Sequence, residues 1–197
     1  DLSEEELATA AHFLSHQKYF PEGQHVVLET QTGELVASSS DFRMQVDFAH
    51  YAHSYLEETG NNLFSTHHPA GEWLYGADIG VHPRARGQGL AWLLYVARHQ
   101  FLPRLNFRSP LAGAMPKGYG AHQHRMPIEA YVAAVIQGEL SDPVLSIQLR
   151  RGYHVWGIIP EYLEDASCGN YGVFIVWRNA EFDPAGFDAA LHSEPRL

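Results

Sequence analysis

Apolar runs broken by turn signals divide the 197-residue chain into strand-like and helix-like segments. The opening "SEEELATAAHFLSH" predicts a helix: Ser3 and Glu6 stand at capping-box spacing, and Leu7, Ala10, Ala11 and Leu14 follow at helical intervals. "QHVVLET" and "LVASSS" read as antiparallel strands joined through "QTGE", where Gly33 suits a hairpin turn. From Asp41 to Gly71 the pattern dissolves into aromatics, histidines and turn residues, with one short helix in "VDFAHYAHSYLEE"; this stretch reads as an insertion over one end of the sheet. "EWLYGADIGV" predicts a third strand, and Leu90 to Phe101 an amphipathic helix with Leu90, Leu93, Leu94 and Ala97 on one side. "SPLAGAM" predicts a buried strand, and "MPIEAYVAAVIQGEL" a helix with Pro127 near its first turn. "DPVLSIQLRRG" predicts another, with Asp142 as N-cap, Pro143 after it and Gly152 as the stop. "YHVWGIIP" and "YGVFIVW" are two last strands, and residues 179–197 read as a peripheral tail.

With 45% hydrophobic residues, a chain of this length closes one sizeable core. A single domain over 1–197 is expected, with 41–71 and 116–140 as insertions near a substrate mouth. No apolar run approaches the roughly 20 residues that span a bilayer, and no leader-like pattern opens the sequence. A soluble, cytoplasmic protein without a membrane partner is expected. The single cysteine, Cys168, agrees with a reducing compartment and reads as a passenger in a loop. The net charge of -10 argues against nucleic acid and mildly favours cationic small molecules or basic peptides.

"VHPRARGQGLA" is the stretch that carries chemistry. A strand that turns through a glycine-containing loop straight into a helix aims unpaired backbone N–H groups at one spot, with the positive end of the helix dipole behind them. Such a spot binds phosphate. Gly87 and Gly89 let a pyrophosphate approach the backbone, and Arg84 or Arg86 adds positive charge. The spacing is neither G-x-G-x-x-G nor that of a P-loop.

Arg86-Gly87-Gln88-Gly89-Leu90-Ala91 resembles the Q/R-x-x-G-x-G/A signature of the GNAT superfamily, N-acetyltransferases that use acetyl-CoA. The strand leading in, the helix leading out, and "DPVLSIQLRRGYHVWG", which resembles the family's second motif, extend the likeness over roughly residues 20–178. The stretch from "GYGAHQH" to "GIIPEYL" also resembles a GNAT subgroup fused to nitrilase-type carbon–nitrogen hydrolases, although these residues contain no hydrolase domain. The resemblance implies an α/β fold: a twisted mixed sheet splayed at its centre, with helices on both faces. It implies acetyl-CoA as acyl donor, lying in a V-shaped opening between the strands Tyr75–Val81 and Pro110–Met115. Backbone near Ile79 and Val81 would pair with the pantetheine arm, and the amides of Arg86, Gly87, Gln88, Gly89, Leu90 and Ala91 would hold the pyrophosphate. No metal is implied.

The implied chemistry is attack by a neutral amine, small-molecule or peptide, on the thioester. Family members often protonate the leaving thiolate with a tyrosine four residues before the Gly of the second motif; here that position holds Gln148. Water, Tyr75 or Tyr119 would then serve, or the chain is a non-catalytic acyl-CoA-binding or regulatory domain. Asp78 is a candidate general base, and Tyr75 a second catalytic candidate of opposite parity on the same strand unless a bulge intervenes. The 13 histidines include the pairs His50 and His53, His67 and His68, and His122 and His124. They match no compact metal-ligand spacing and read mainly as surface or packing residues, with acceptor recognition or base work as the alternative. His82 reads as a loop-turning residue. Glu161, Tyr162 and Glu164 read as an exposed acidic loop, with a cationic acceptor as their functional alternative.

Overall fold

The computed structural model describes residues 8–182. The Ser3 capping box lies outside the described residues. Helix α1 (Ala10–Tyr19) starts instead behind Thr9, whose hydroxyl accepts from the His12 amide while the His12 ring accepts from the Thr9 amide. Strands β1 (Gln24–Leu28) and β2 (Leu35–Met44) form the expected antiparallel hairpin, with Gly33 at φ 72 in its turn. Asp41–Met44, expected to open the insertion, complete β2 instead. Helix α2 (Tyr55–Thr59) is the short helix of the following segment, capped by Ser54 and Glu57.

Next come β3 (Trp73–Val81), α3 (Leu90–Phe101), β4 (Ser109–Ala114), α4 (Ile128–Gln137), α5 (Leu145–Arg150), β5 (Tyr153–Ile159) and β6 (Gly172–Trp177). Asp142 caps α5 as expected, its Oδ1 accepting from the Val144 and Leu145 amides at 2.8 Å each. The six strands form one mixed sheet in the order β1-β2-β3-β4-β6-β5, in which only β3 and β4 run parallel. This is the expected mixed sheet with helices on both faces.

Strand alternation sends side chains to both faces of the sheet. Ala112, Ala114, Val173 and Ile175 pack with Tyr95 of α3 and with Tyr131, Val132 and Val135 of α4. Their neighbours Leu111, Phe174 and Val176 pack on the other face with Phe42, Phe64, Tyr75 and Tyr162. The buried face of α3 differs from the expected one: it presents Leu94, Tyr95, Arg98 and Phe101, while Leu93 is exposed. An arginine is buried there because Asp41 of β2 meets it at 2.7 Å, an ion pair no hydrophobic periodicity foretells. The tail is integrated at its start, where buried Asn179 donates to the Phe107 carbonyl at 2.7 Å. Among the described residues no helix is long and apolar enough to cross a membrane.

Candidate functional site

The parallel pairing of β3 with β4 is brief. It runs from Trp73 opposite Ser109 to Tyr75 opposite Leu111, where it stops. Beyond it β3 stays with β2 as far as Val81, and β4 stays with β6 as far as Ala114. The sheet therefore opens into a wedge whose apex is at Tyr75 and Leu111. The inner edge of β3 from Gly76 to Val81, including Ile79 and Val81, has no strand beside it and keeps backbone groups available for an extended ligand.

The possible bulge exists. Gly76 lies opposite Asp41 and Asp78 opposite Ser40, which leaves Ala77 as the extra residue. Tyr75 faces Phe42, and residues 40 and 42 share a face of β2. Tyr75 and Asp78, of opposite parity by count, are thereby brought to the same face, while Ile79 turns toward the core beneath α3. Asp78 is exposed, but it sits between protein walls that raise its carboxyl above the ordinary range, opposed by the Ile79 amide and by Arg98.

At the wide end of the wedge β3 runs through a short turn, Pro83–Ala85, into α3. His82 turns this loop, its Nδ1 accepting from the Arg84 amide at 3.3 Å, as expected. Gly87 and Gly89 have φ of 78 and 79, conformations that other residues rarely adopt, and a Cβ on either would meet nothing within 4 Å. Gly89 is the N-cap and offers no side chain, so the first amides of α3 have no protein acceptor from the cap. Val81, Ala85, Arg86, Gly87, Gly89, Leu90 and Ala91 line an open concavity of about 170 Å³ there. Gln88 faces the neighbouring hollow toward β1. The two arginines differ: Arg84 is engaged by Glu34 and Glu29 of the β1–β2 hairpin, whereas Arg86, among the described residues, bonds only the Val81 carbonyl at 3.4 Å. Among the described residues no acidic side chain pairs with Arg86, which lines the concavity.

The remaining candidates separate. Tyr75 is fully buried, and its hydroxyl lies 2.9 Å from His53 Nε2 and 2.9 Å from the Tyr162 hydroxyl. Tyr119 is buried on the other face and donates to the Met126 carbonyl at 3.3 Å. Tyr162 is no part of an exposed loop: its ring lies across Gly113 and Gly172, where a Cβ would overlap it. Glu161 and Glu164 on either side are exposed. Cys168 lies in the loop between β5 and β6, as expected, and is buried there, its thiol directed at the Asp165 carbonyl at 3.3 Å. Gln148, at the position expected for a tyrosine, is only 9% exposed.

Of the histidines, His50 pairs with Asp47 on the surface, His67 accepts from the Arg43 amide, and His122 packs on Tyr131. His53 is the one drawn to the apex, a placement that its spacing to His50 did not signal. Among the described residues no three His, Cys, Asp or Glu side chains gather as a metal site.

No family model matches the chain. It is 31% identical over 183 residues to the uncharacterized N-acetyltransferase YkwB of Bacillus subtilis (strain 168), covering 93% of this chain and 77% of that protein. It is 32% identical over 174 residues to the probable hydrolase YhcX of the same organism, covering 88% of this chain but 34% of that protein, so it spans about a third of YhcX. In fold it is similar to the GNAT-like decarboxylase GphF in complex with isobutyryl-CoA, at TM-score 0.71 and 21% identity, over 90% of this chain and 88% of that one. It is also similar to the loading GNATL domain of CurA from Lyngbya majuscula, at TM-score 0.74 and 17% identity, over 90% and 86% of the two chains.

Proposed function

The chain belongs to the GNAT superfamily of N-acetyltransferases, acyltransferases that use acyl-CoA, and from that premise we propose that it moves an acetyl group from acetyl-CoA to a primary amine. The observation that carries this reading is the wedge itself: a glycine-built anion cradle at its mouth, and the Asp78 carboxylate on the same sheet face as Tyr75 at its apex. The pyrophosphate sits against the amides from Arg86 to Ala91, with Arg86 as counter-charge. The pantetheine arm replaces the missing strand along Ile79 and Val81, which brings the thioester to the apex. The amine approaches from the face that Asp78 shares with Tyr75, and Asp78 takes its surplus proton. Tyr75 anchors the apex strand and is no proton donor, since its hydroxyl is already engaged on both sides.

The acceptor is a small-molecule or peptide amine, and the acidic balance of the chain favours a cationic one. Segments 41–71 and 116–140 are the parts that would select it. A second reading, a non-catalytic acyl-CoA-binding domain, is favoured by Gln148 at the usual acid position. Thiol release from acetyl-CoA, followed with a panel of amines and peptides, separates the two. Amine-dependent release supports transfer; a chain that binds acetyl-CoA but releases no thiol with any amine is a binder.

A further inference from the structure

The narrow end of the wedge is closed on both faces as well as ahead. Tyr75 and Leu111 are the last residues to pair across it. Just beyond them each arm carries a glycine, Gly76 on β3 and Gly113 on β4, and each glycine lies under a large side chain. A Cβ on Gly76 would stand 2.9 Å from Arg98 Nη1, and one on Gly113 would overlap the Tyr162 ring at Cζ, Cε2 and the hydroxyl oxygen. The two covers lie on opposite faces. Leu111 and Gly113 share a face by alternation, and Tyr162 packs there with Leu111 and Tyr75. Arg98 comes from α3, on the face where Ala112 packs with Tyr95 of that helix. Tyr162 reaches from one arm to the other: near Cγ its ring rests on Gly172 of β6, its tip rests on Gly113 of β4, and its hydroxyl lies 2.9 Å from that of Tyr75 on β3. The residue is 2% exposed, and the contact with Tyr75 holds the ring in place.

A thioester brought to the apex by the pantetheine arm points its acyl group at this closed end. Directly ahead β3 and β4 are joined by backbone pairing, so a chain longer than acetyl has to leave through one of the two faces. On the α3 face it meets the buried Arg98 guanidinium, 2.7 Å from the Asp41 carboxylate, and moving it would leave a buried charge unpaired. On the other face it meets the ring of Tyr162. Resting on the transfer reading above, we propose that Tyr162 sets the acyl length of the donor: its ring fills the space that the third and fourth carbons of a longer acyl group would need. Tyr162 acts by volume and moves no proton, so its hydroxyl serves only to fix the ring over Gly113.

The test compares acetyl-CoA, propionyl-CoA and butyryl-CoA, by thermal shift and by amine-dependent thiol release. In wild type, butyryl-CoA should give a smaller shift than acetyl-CoA and a kcat/KM lower by about 100-fold, because its extra methylenes have no cavity to enter. Tyr162→Ala should raise the butyryl-to-acetyl ratio about 10-fold or more, and the milder Tyr162→Leu should do the same for propionyl-CoA. Tyr162→Phe keeps the ring and should keep the wild-type order of donors. A wild-type chain that takes butyryl-CoA as well as acetyl-CoA would overturn the assignment without any variant, and so would a folded Ala or Leu variant with the wild-type ratio. A wild-type chain that binds acetyl-CoA yet releases no thiol with any amine would instead sink the transfer reading, and the thermal shifts alone would then decide whether Tyr162 limits the acyl chain.

Discussion

His53 Nε2 lies 2.9 Å from the Tyr75 hydroxyl, while His53 Nδ1 lies 2.7 Å from the Tyr51 carbonyl. A carbonyl can only accept, so Nδ1 carries the proton and Nε2 is the acceptor. Tyr75 therefore donates to His53, and Tyr162, 2.9 Å away, donates to Tyr75. Three side chains from a loop, a central strand and the β5–β6 connection are tied into one directed chain at the point where the sheet opens.

His53→Leu leaves the Tyr75 proton and the Tyr51 carbonyl unpaired and should cost about 1–3 kcal/mol in denaturant unfolding. His53→Gln keeps an acceptor near the Nε2 position and should cost less. Burial holds the imidazole below its ordinary value of 6.5, against the Tyr51 carbonyl and nearby Glu57, with Glu58 3.7 Å from Nδ1. The unfolded chain then binds more protons than the folded one as pH falls through 6.5, so wild-type stability drops there. The Gln variant lacks that contribution, and the difference between the two should shrink between pH 7.5 and 5.

Gly113→Ala places a methyl group into the Tyr162 ring. A loss of about 1–3 kcal/mol is expected in wild type, and a markedly smaller one in a Tyr162→Leu background. Equal losses in both would mean that the ring can move aside.

Arg98→Leu leaves the fully buried Asp41 carboxylate without its partner at 2.7 Å, at a cost of about 3–5 kcal/mol at pH 8. Even with Arg98 present, burial pushes the Asp41 carboxyl up to about 6. A carboxyl raised in the folded state loses stability as pH rises, so the deficit of the variant should be greatest at pH 8 and smaller at pH 5.5. Unfolding curves at the two pH values check this.

Asp78→Asn should lower kcat for amine-dependent thiol release about 100-fold or more while leaving the acetyl-CoA thermal shift intact. Loss of the thermal shift instead would make Asp78 part of donor binding.

All six strands, and the loop from Arg86 to Ala91 that turns β3 into α3, were legible in the sequence, because each rests on local signals: period-2 runs, turn glycines, a helix start. The bulge at Ala77 was not fixed by those signals. It exists only because β2 holds Asp41 opposite Gly76, and it decides which side chains share a face with Tyr75. The burial of Arg98 in place of Leu93 was hidden for the same reason, since its partner Asp41 is more than fifty residues earlier in the chain. Tyr162 looked like a loop residue because the glycines that receive its ring belong to two other strands.

The central claim is that the loop before α3 is the pyrophosphate site of an acyl-CoA donor, and the thermal shift on adding acetyl-CoA tests it most directly, with CoA, ATP and NAD at matched concentration and Ala91→Glu as the variant. Ala91 lines the concavity in the first turn of α3, where a glutamate suits the helix dipole but repels a pyrophosphate. A ligand that binds only the folded chain raises the melting temperature by mass action. The account predicts a shift with acetyl-CoA and CoA, none with ATP or NAD, and its loss in an Ala91→Glu protein that melts no lower than wild type. A wild-type chain indifferent to every CoA species, or an Ala91→Glu chain that keeps the full shift, would contradict it.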